Sequence, residues 1–148
     1  MTIGNNTDAV PLPFHLSICV NNFETTRRFY GEILGLEERR TTSGSIHYNM
    51  FGSQLTLHVI PDYNALNLQR EVDSEDVPVP HFGVVLPDKE TFDQIAKKLK
   101  DARVNFVREP GLRFLGKQHE QHVLFVLDPS GNGIEIKSFI HAKPYQWL

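Results

Sequence analysis

The sequence predicts an α+β fold built from two copies of a βαβββ module whose strands form a curved mixed sheet. Three observations predict it. The hydrophobic period switches from two to helical and back to two on each side of a polar stretch at 62–79. Each half opens on an alternating strand with a histidine at its start, His15 in the first and His81 in the second. Each half closes on an alternating strand entered through a turn that carries glycine.

In the first half, Phe14, Leu16, Ile18 and Val20 alternate with His15, Ser17 and Cys19, which describes a strand with one apolar face. The segment 21–35 reads as a helix. Asn21 or Asn22 is its N-cap, Phe23, Phe29 (or Tyr30), Ile33 and Leu34 form its stripe, and Gly35 stands where a left-handed C-cap belongs. Strands are expected at about 36–42, 45–51 and 53–60, with Ser43-Gly44 and Gly52-Ser53 as the turns.

The stretch 62–79 is acidic and proline-bearing and reads as a linker. In the second half, 81–86 is a strand and 88–104 an amphipathic helix capped by Asp88, with Phe92, Ile95, Leu99 and Ala102 inward. Strands follow at 105–109, 121–127 and 133–139, the last after the turn Asp128-Pro-Ser-Gly-Asn-Gly133. The expected layout is one domain over 1–148: module one 14–61, linker 62–79, module two 80–139 and a tail 140–148. Tyr145, Trp147 and Leu148 make that tail a candidate for docking on a neighbour.

Composition narrows the function classes. A net charge of −3 with no basic stripe argues against nucleic-acid binding. No window approaches the roughly 20 apolar residues of a membrane span. The start, MTIGNNTDAVP, lacks the pattern of a signal peptide, and the single cysteine, Cys19, cannot form an internal disulfide. A cytoplasmic setting is the expectation.

The seven histidines make a metal site worth testing. His15 and His81 start the first strands of the two halves, while His58 and Glu135 lie on the last strands. In all four strands these residues alternate with large aliphatics, so His15, His58, His81 and Glu135 are expected to share the concave face. Imidazoles plus one carboxylate suit Fe(II), Mn(II), Ni(II), Co(II) or Zn(II), and two His with one carboxylate is the set of non-haem Fe(II) oxygenases.

Three stretches carry a family resemblance: Phe14–Val20 with Arg28-Phe-Tyr-Gly-Glu-Ile-Leu-Gly-Leu36, Pro80-His-Phe-Gly-Val-Val-Leu86, and Phe125-Val-Leu-Asp-Pro-Ser-Gly-Asn-Gly-Ile-Glu-Ile-Lys137. On these the chain resembles the vicinal oxygen chelate superfamily, which holds glyoxalase I, extradiol dioxygenases, fosfomycin-resistance thiol transferases and bleomycin-binding proteins. Gly52–His58, Val77–Gly83 and Arg113-Phe-Leu-Gly116 with Glu120-Gln121 are further similar to small bacterial proteins described as predicted extradiol-type dioxygenases.

The resemblance implies a divalent metal, Fe(II) first, on His15, His81 and Glu135, and a small substrate that chelates it through neighbouring oxygens. His58 is then a fourth ligand or an acid–base catalyst. Arg113, Tyr48, Gln121 and His122 are candidate substrate contacts, and His119 lies near the start of the same strand as Gln121 and His122. Tyr48, between Ile46 and Met50, either lines the pocket or packs at the core edge, while His47 and His141 are assigned to the surface. The dioxygenases carry a tyrosine in the strand before the glutamate; here Phe125 stands in that neighbourhood and has no hydroxyl. The expected activity is extradiol-type dioxygenation, with a glyoxalase I-like isomerase or a small-molecule-binding resistance protein as alternatives. An open curved sheet with exposed edges makes a homodimer the expected assembly.

Overall fold

The computed structural model describes residues 12–68, 70–71 and 78–142. The tail residues singled out above lie outside them. Strand β1 (His15–Val20) leads into α1 (Phe23–Thr26), which continues without a break into a π-helical turn over Arg27–Ile33. Strands β2 (Glu37–Thr41), β3 (Ser45–Met50) and β4 (Ser53–Val59) complete the first module. A 3₁₀ turn at Ala65–Asn67 and a short ladder of β5 (Arg70–Glu71) with β6 (Pro78–Val79) occupy part of the expected linker. The second module is β7 (His81–Val85), α2 (Lys89–Asp101), β8 (Phe106–Arg113), β9 (Gln121–Leu127) and β10 (Gly133–Phe139).

The expected curved sheet is two four-stranded mixed sheets, ordered β1-β4-β3-β2 and β7-β10-β9-β8. In each, the first and last strands of the module run parallel in the ladder and the others antiparallel.

Local chemistry explains most boundaries. The Asn22 side chain accepts the Thr25 amide and the Asp88 side chain accepts the Thr91 amide, so both helices begin on side-chain caps. Gly35 takes φ +74°, and α2 stops at Asp101 because Arg103 turns to φ +56°. The helix of module one widens at its end: Leu34 N–H donates to Phe29 O, five residues back. Strand β8 runs four residues beyond the expected 105–109, through Pro110 and Gly111. It is an edge strand, where proline removes no needed donor, and its register slips at two places against β9.

The inward faces of both modules merge into one core. Tyr30, Ile46, Tyr48, Leu55 and Leu57 from the first pack with Leu86, Phe92, Leu99, Leu124 and Ile136 from the second. Asp128 fastens the seam. Its Oδ1 accepts the Ser130 and Asn132 amides, both at 2.8 Å. Its Oδ2 accepts the Tyr30 hydroxyl at 2.7 Å and Asn132 Nδ2 at 2.8 Å. Asn132 Nδ2 also donates to Cys19 O at 2.9 Å, which ties the turn before β10 to β1.

Burial pushes the Asp128 carboxyl up from its ordinary 3.8, against the pull of these hydrogen bonds. A raised folded-state pKa means the folded chain holds the proton more tightly. The Asp128 contribution to stability is therefore largest below the unfolded pKa and declines as pH rises through the folded one. Asp128→Asn would aim an amide N–H₂ at two donors, at a cost of about 2–4 kcal/mol. Urea unfolding of both proteins should show that gap widest in acid and narrower at pH 7; a gap that widens with pH would refute the account.

Candidate metal centre

The two parallel ladders have the same register, which makes positions comparable between modules. Along β1 and β4, His15 pairs with Gln54, Ser17 with Thr56 and Cys19 with His58. Along β7 and β10, His81 pairs with Gly133, Gly83 with Glu135 and Val85 with Lys137. With His15 matched to His81, the counterpart of Glu135 is Thr56, and the counterpart of His58 is Lys137. His58 lies four places beyond Gln54, so it stands about 13 Å along the sheet from His15 at ~3.3 Å per residue. The structure therefore does not bring His58 to His15, although both lie on one face.

In the second module, Glu135 points to the face opposite α2, its side chain 12% exposed. His81 Nε2 is 3.6 Å from Glu135 Oε2, and Lys137 Nζ is 3.2 Å from the same oxygen. Phe125 lies across from Glu135 on β9, and the His81 ring meets it edge-on at 5.2 Å. Phe125 and Val123 form a small buried apolar cluster beneath this face, apart from the main core. Arg113 and Gln121 pair across β8 and β9 on the same face; Gln121 is buried, and Arg113 lies over the Phe114 ring at 4.8 Å.

Other residues named from the sequence lie elsewhere. Tyr48 is 1% exposed in the core, stacked on Tyr30, and burial lifts its phenol to about 12. Its parity with Ile46 and Met50 places it there. His122 points to the α2 side, its ring 5.7 Å from Phe92. His119 packs on Phe114 at 4.5 Å, and exposed His141 approaches Glu120 at 3.4 Å.

In the first module, His15 Nδ1 donates to Gln54 Oε1 at 2.8 Å. That bond leaves Nε2 as the lone-pair atom of the ring, the arrangement that orients a ligating imidazole. His47, assigned to the surface from sequence, is half-buried on this face. Its Nδ1 is 3.0 Å from Thr56 Oγ1, and its Nε2 is 3.2 Å from Ser45 Oγ and 3.3 Å from Arg40 Nη2. Burial holds this imidazole below its ordinary 6.5, with Arg40, His58 and His15 adding to the effect.

The sequence does hold a signal for two of these. His47 alternates with Ile46 and Tyr48, so its parity is that of His15. Gly52 and Gly131 take φ +90° and +84°, and each precedes by four residues the matching pair Thr56 and Glu135.

Among the described residues, no three His, Cys, Asp or Glu side chains stand together closely enough to hold one ion. His81 and Glu135 pair on one sheet, and His15 stands on the other. Residues 13–136 match the model of the Glyoxalase/Bleomycin resistance protein/Dioxygenase superfamily.

The chain belongs to that superfamily.

Solved structures of the superfamily share its architecture. The glyoxalase/bleomycin resistance protein/dioxygenase from Alicyclobacillus acidocaldarius is 29% identical, with a TM-score of 0.72 over 93% of this chain and 96% of that one. The lactoylglutathione lyase from Agrobacterium tumefaciens is 15% identical, with a TM-score of 0.59 over 88% and 93% of the two chains. The fosfomycin resistance protein FosX from Listeria monocytogenes is 13% identical, with a TM-score of 0.62 over 89% and 96%. At those last two identities the likeness is one of fold alone. No curated protein matches the chain. Among the described residues, no helix is long and apolar enough to cross a membrane.

His81 and Glu135 are donor types that suit a divalent cation. Glu135 Oε2 already holds a cationic group, the Lys137 ammonium, and a neighbouring imidazole lies on the same oxygen.

Proposed function

We propose that this superfamily member is a metal-dependent enzyme acting on small molecules that chelate through neighbouring oxygens, by extradiol-type dioxygenation. Its site is completed when two copies pair: His15 of one copy faces His81 and Glu135 of the other. The observation that carries this is the division of donors, with imidazole and carboxylate together on one sheet and a single oriented imidazole on the other. In this reading the donor missing from the His81 and Glu135 pair comes from a second copy.

Two imidazoles and a carboxylate would leave positions open for a chelating substrate and dioxygen, and the ion, Fe(II) first, would supply Lewis acidity and redox chemistry. The chain's own groups do the rest. Gln54 holds His15 in one tautomer. Phe125 and Val123 keep water from the floor beside Glu135. Arg113 and Gln121, further along that face, are assigned to contact with a substrate anion. His58 is assigned to substrate contact and proton transfer at the outer end of the first module's face rather than to the ion. The glyoxalase I-like alternative expects a carboxylate ligand on the last strand of the first module, and Thr56 occupies the place that corresponds to Glu135 there.

The deciding experiment is metal analysis of protein purified without added metal, with oxygen uptake measured on catechols. Uptake that tracks iron content supports the proposal. Turnover of a hemithioacetal without oxygen uptake would replace it with an isomerase. Ligand binding with no turnover would replace it with a sequestering protein.

Lys137 competes for the carboxylate that a cation would share. Lys137→Met is therefore expected to tighten Mn(II) or Co(II) binding roughly threefold to tenfold at low salt, less at high salt. Titration calorimetry at two ionic strengths checks it; weaker binding in the variant would show that Lys137 positions Glu135 instead.

A further inference from the structure

The first module's face carries a hydrogen-bond chain that the proposed metal donors do not use. Arg40 Nη2 lies 3.3 Å from His47 Nε2. A guanidinium can only donate, so Nε2 is the acceptor nitrogen and the ring's hydrogen sits on Nδ1. That hydrogen goes to Thr56 Oγ1, 3.0 Å away. Ser45 Oγ, 3.2 Å from Nε2 and 2.9 Å from Thr42 Oγ1, closes the other side of the ring. The arrangement requires a neutral imidazole, which the burial of His47 and the charge of Arg40 both favour.

Thr56 oxygen is thus already engaged as an acceptor, and its own hydroxyl hydrogen has no acceptor among the described residues. The residue is 4% exposed. By ladder register it occupies on β4 the position that Glu135 has on β10. A carboxylate at both positions would repel an ionised substrate oxygen, whereas a hydroxyl with a spare hydrogen attracts one.

We propose that Thr56 is a substrate-binding donor that holds the ionised oxygen of a chelating substrate, with Arg40 and His47 as positioning residues that aim it. The substrate class is accordingly a chelator that presents an ionised oxygen. This rests on the function proposed above and adds to it the group that selects an ionised oxygen.

Two measurements test it. In metal-free protein, ¹⁵N NMR of His47 should report the Nδ1–H tautomer, and Arg40→Met should give a mixture of tautomers. In cobalt(II)-loaded protein titrated anaerobically with 4-nitrocatechol, Thr56→Val should bind the dianion roughly tenfold more weakly, while Thr56→Ser stays close to wild type. Where valine disturbs the strand, Thr56→Ala gives the same reading. An Nε2–H tautomer in the wild type, or unchanged binding by both Thr56→Val and Thr56→Ala, overturns this inference alone. A wild-type cobalt protein that binds no 4-nitrocatechol overturns the proposed function, and this inference with it.

Discussion

Replacing His81 with alanine is expected to strip the protein of its metal, with affinity falling at least roughly a hundredfold. Loss of even an outer partner weakens metal sites 10–100-fold, and His81 is assigned as a direct ligand. Glu135→Gln should behave alike, because an amide oxygen carries no charge to offset a dication. The fold should survive His81→Ala, since His81 stands at the surface end of β7, and Glu135→Gln, since glutamine keeps the shape of the side chain. His141→Ala, a change at an exposed residue that touches Glu120, serves as the control and should keep its full metal content.

The pairing of copies has its own signature. His15→Ala and His81→Ala chains should each hold no metal when pure. Mixed in equal amounts and refolded together, they should regain about a quarter of the sites, because half the symmetric pairs are mixed and each of those has one complete site. No recovery would rule out a site shared between copies. A full equivalent of metal on His81→Ala would remove the metalloenzyme reading altogether.

Gly83→Ala should do more damage than any surface change. A Cβ built at Gly83 comes within 1.7 Å of the Glu135 carbonyl oxygen, and the obstruction is backbone, which has no rotamer to escape into. β7 must move away from β10 at the point where His81 and Glu135 are held together. A loss above about 4 kcal/mol is expected, the range reserved for a named steric or buried-polar fault. Gly44→Ala, where nothing lies within 4 Å, should stay within about 0.5 kcal/mol. Paired urea titrations check both. A stable Gly83→Ala protein with unchanged metal binding would mean the strands separate more easily than their close approach implies.

The order of elements was legible because period two, helical stripes and capping residues are local properties. Asn22, Gly35 and Asp88 each do what their chemistry predicts. The length of β8 was hidden because Pro110 and Gly111 usually end strands, and only its edge position makes them harmless.

At the candidate site, parity was legible and register was not. Alternation puts His15, His58 and His47 on one face, but nothing in alternation says that His58 sits opposite Cys19 and Thr56 opposite Ser17. The pairing comes from where the strands meet, which depends on the turns. The sequence hides the role of His47 because a polar residue in a short strand looks like a solvated one until its three partners are seen. Lys137 reads as an ordinary strand lysine, and its contact with Glu135 exists only because both face the same side of β10.

The shared interior has a mechanical consequence. With Tyr30 from one repeat bonded to Asp128 of the other, and the apolar faces of both enclosed together, neither repeat possesses a complete interior of its own. Heating should therefore melt the molecule in a single step, with calorimetric and van't Hoff enthalpies in agreement. Cut at the junction, either fragment would present a broad greasy surface to water and would seek the other, or a stranger, to cover it.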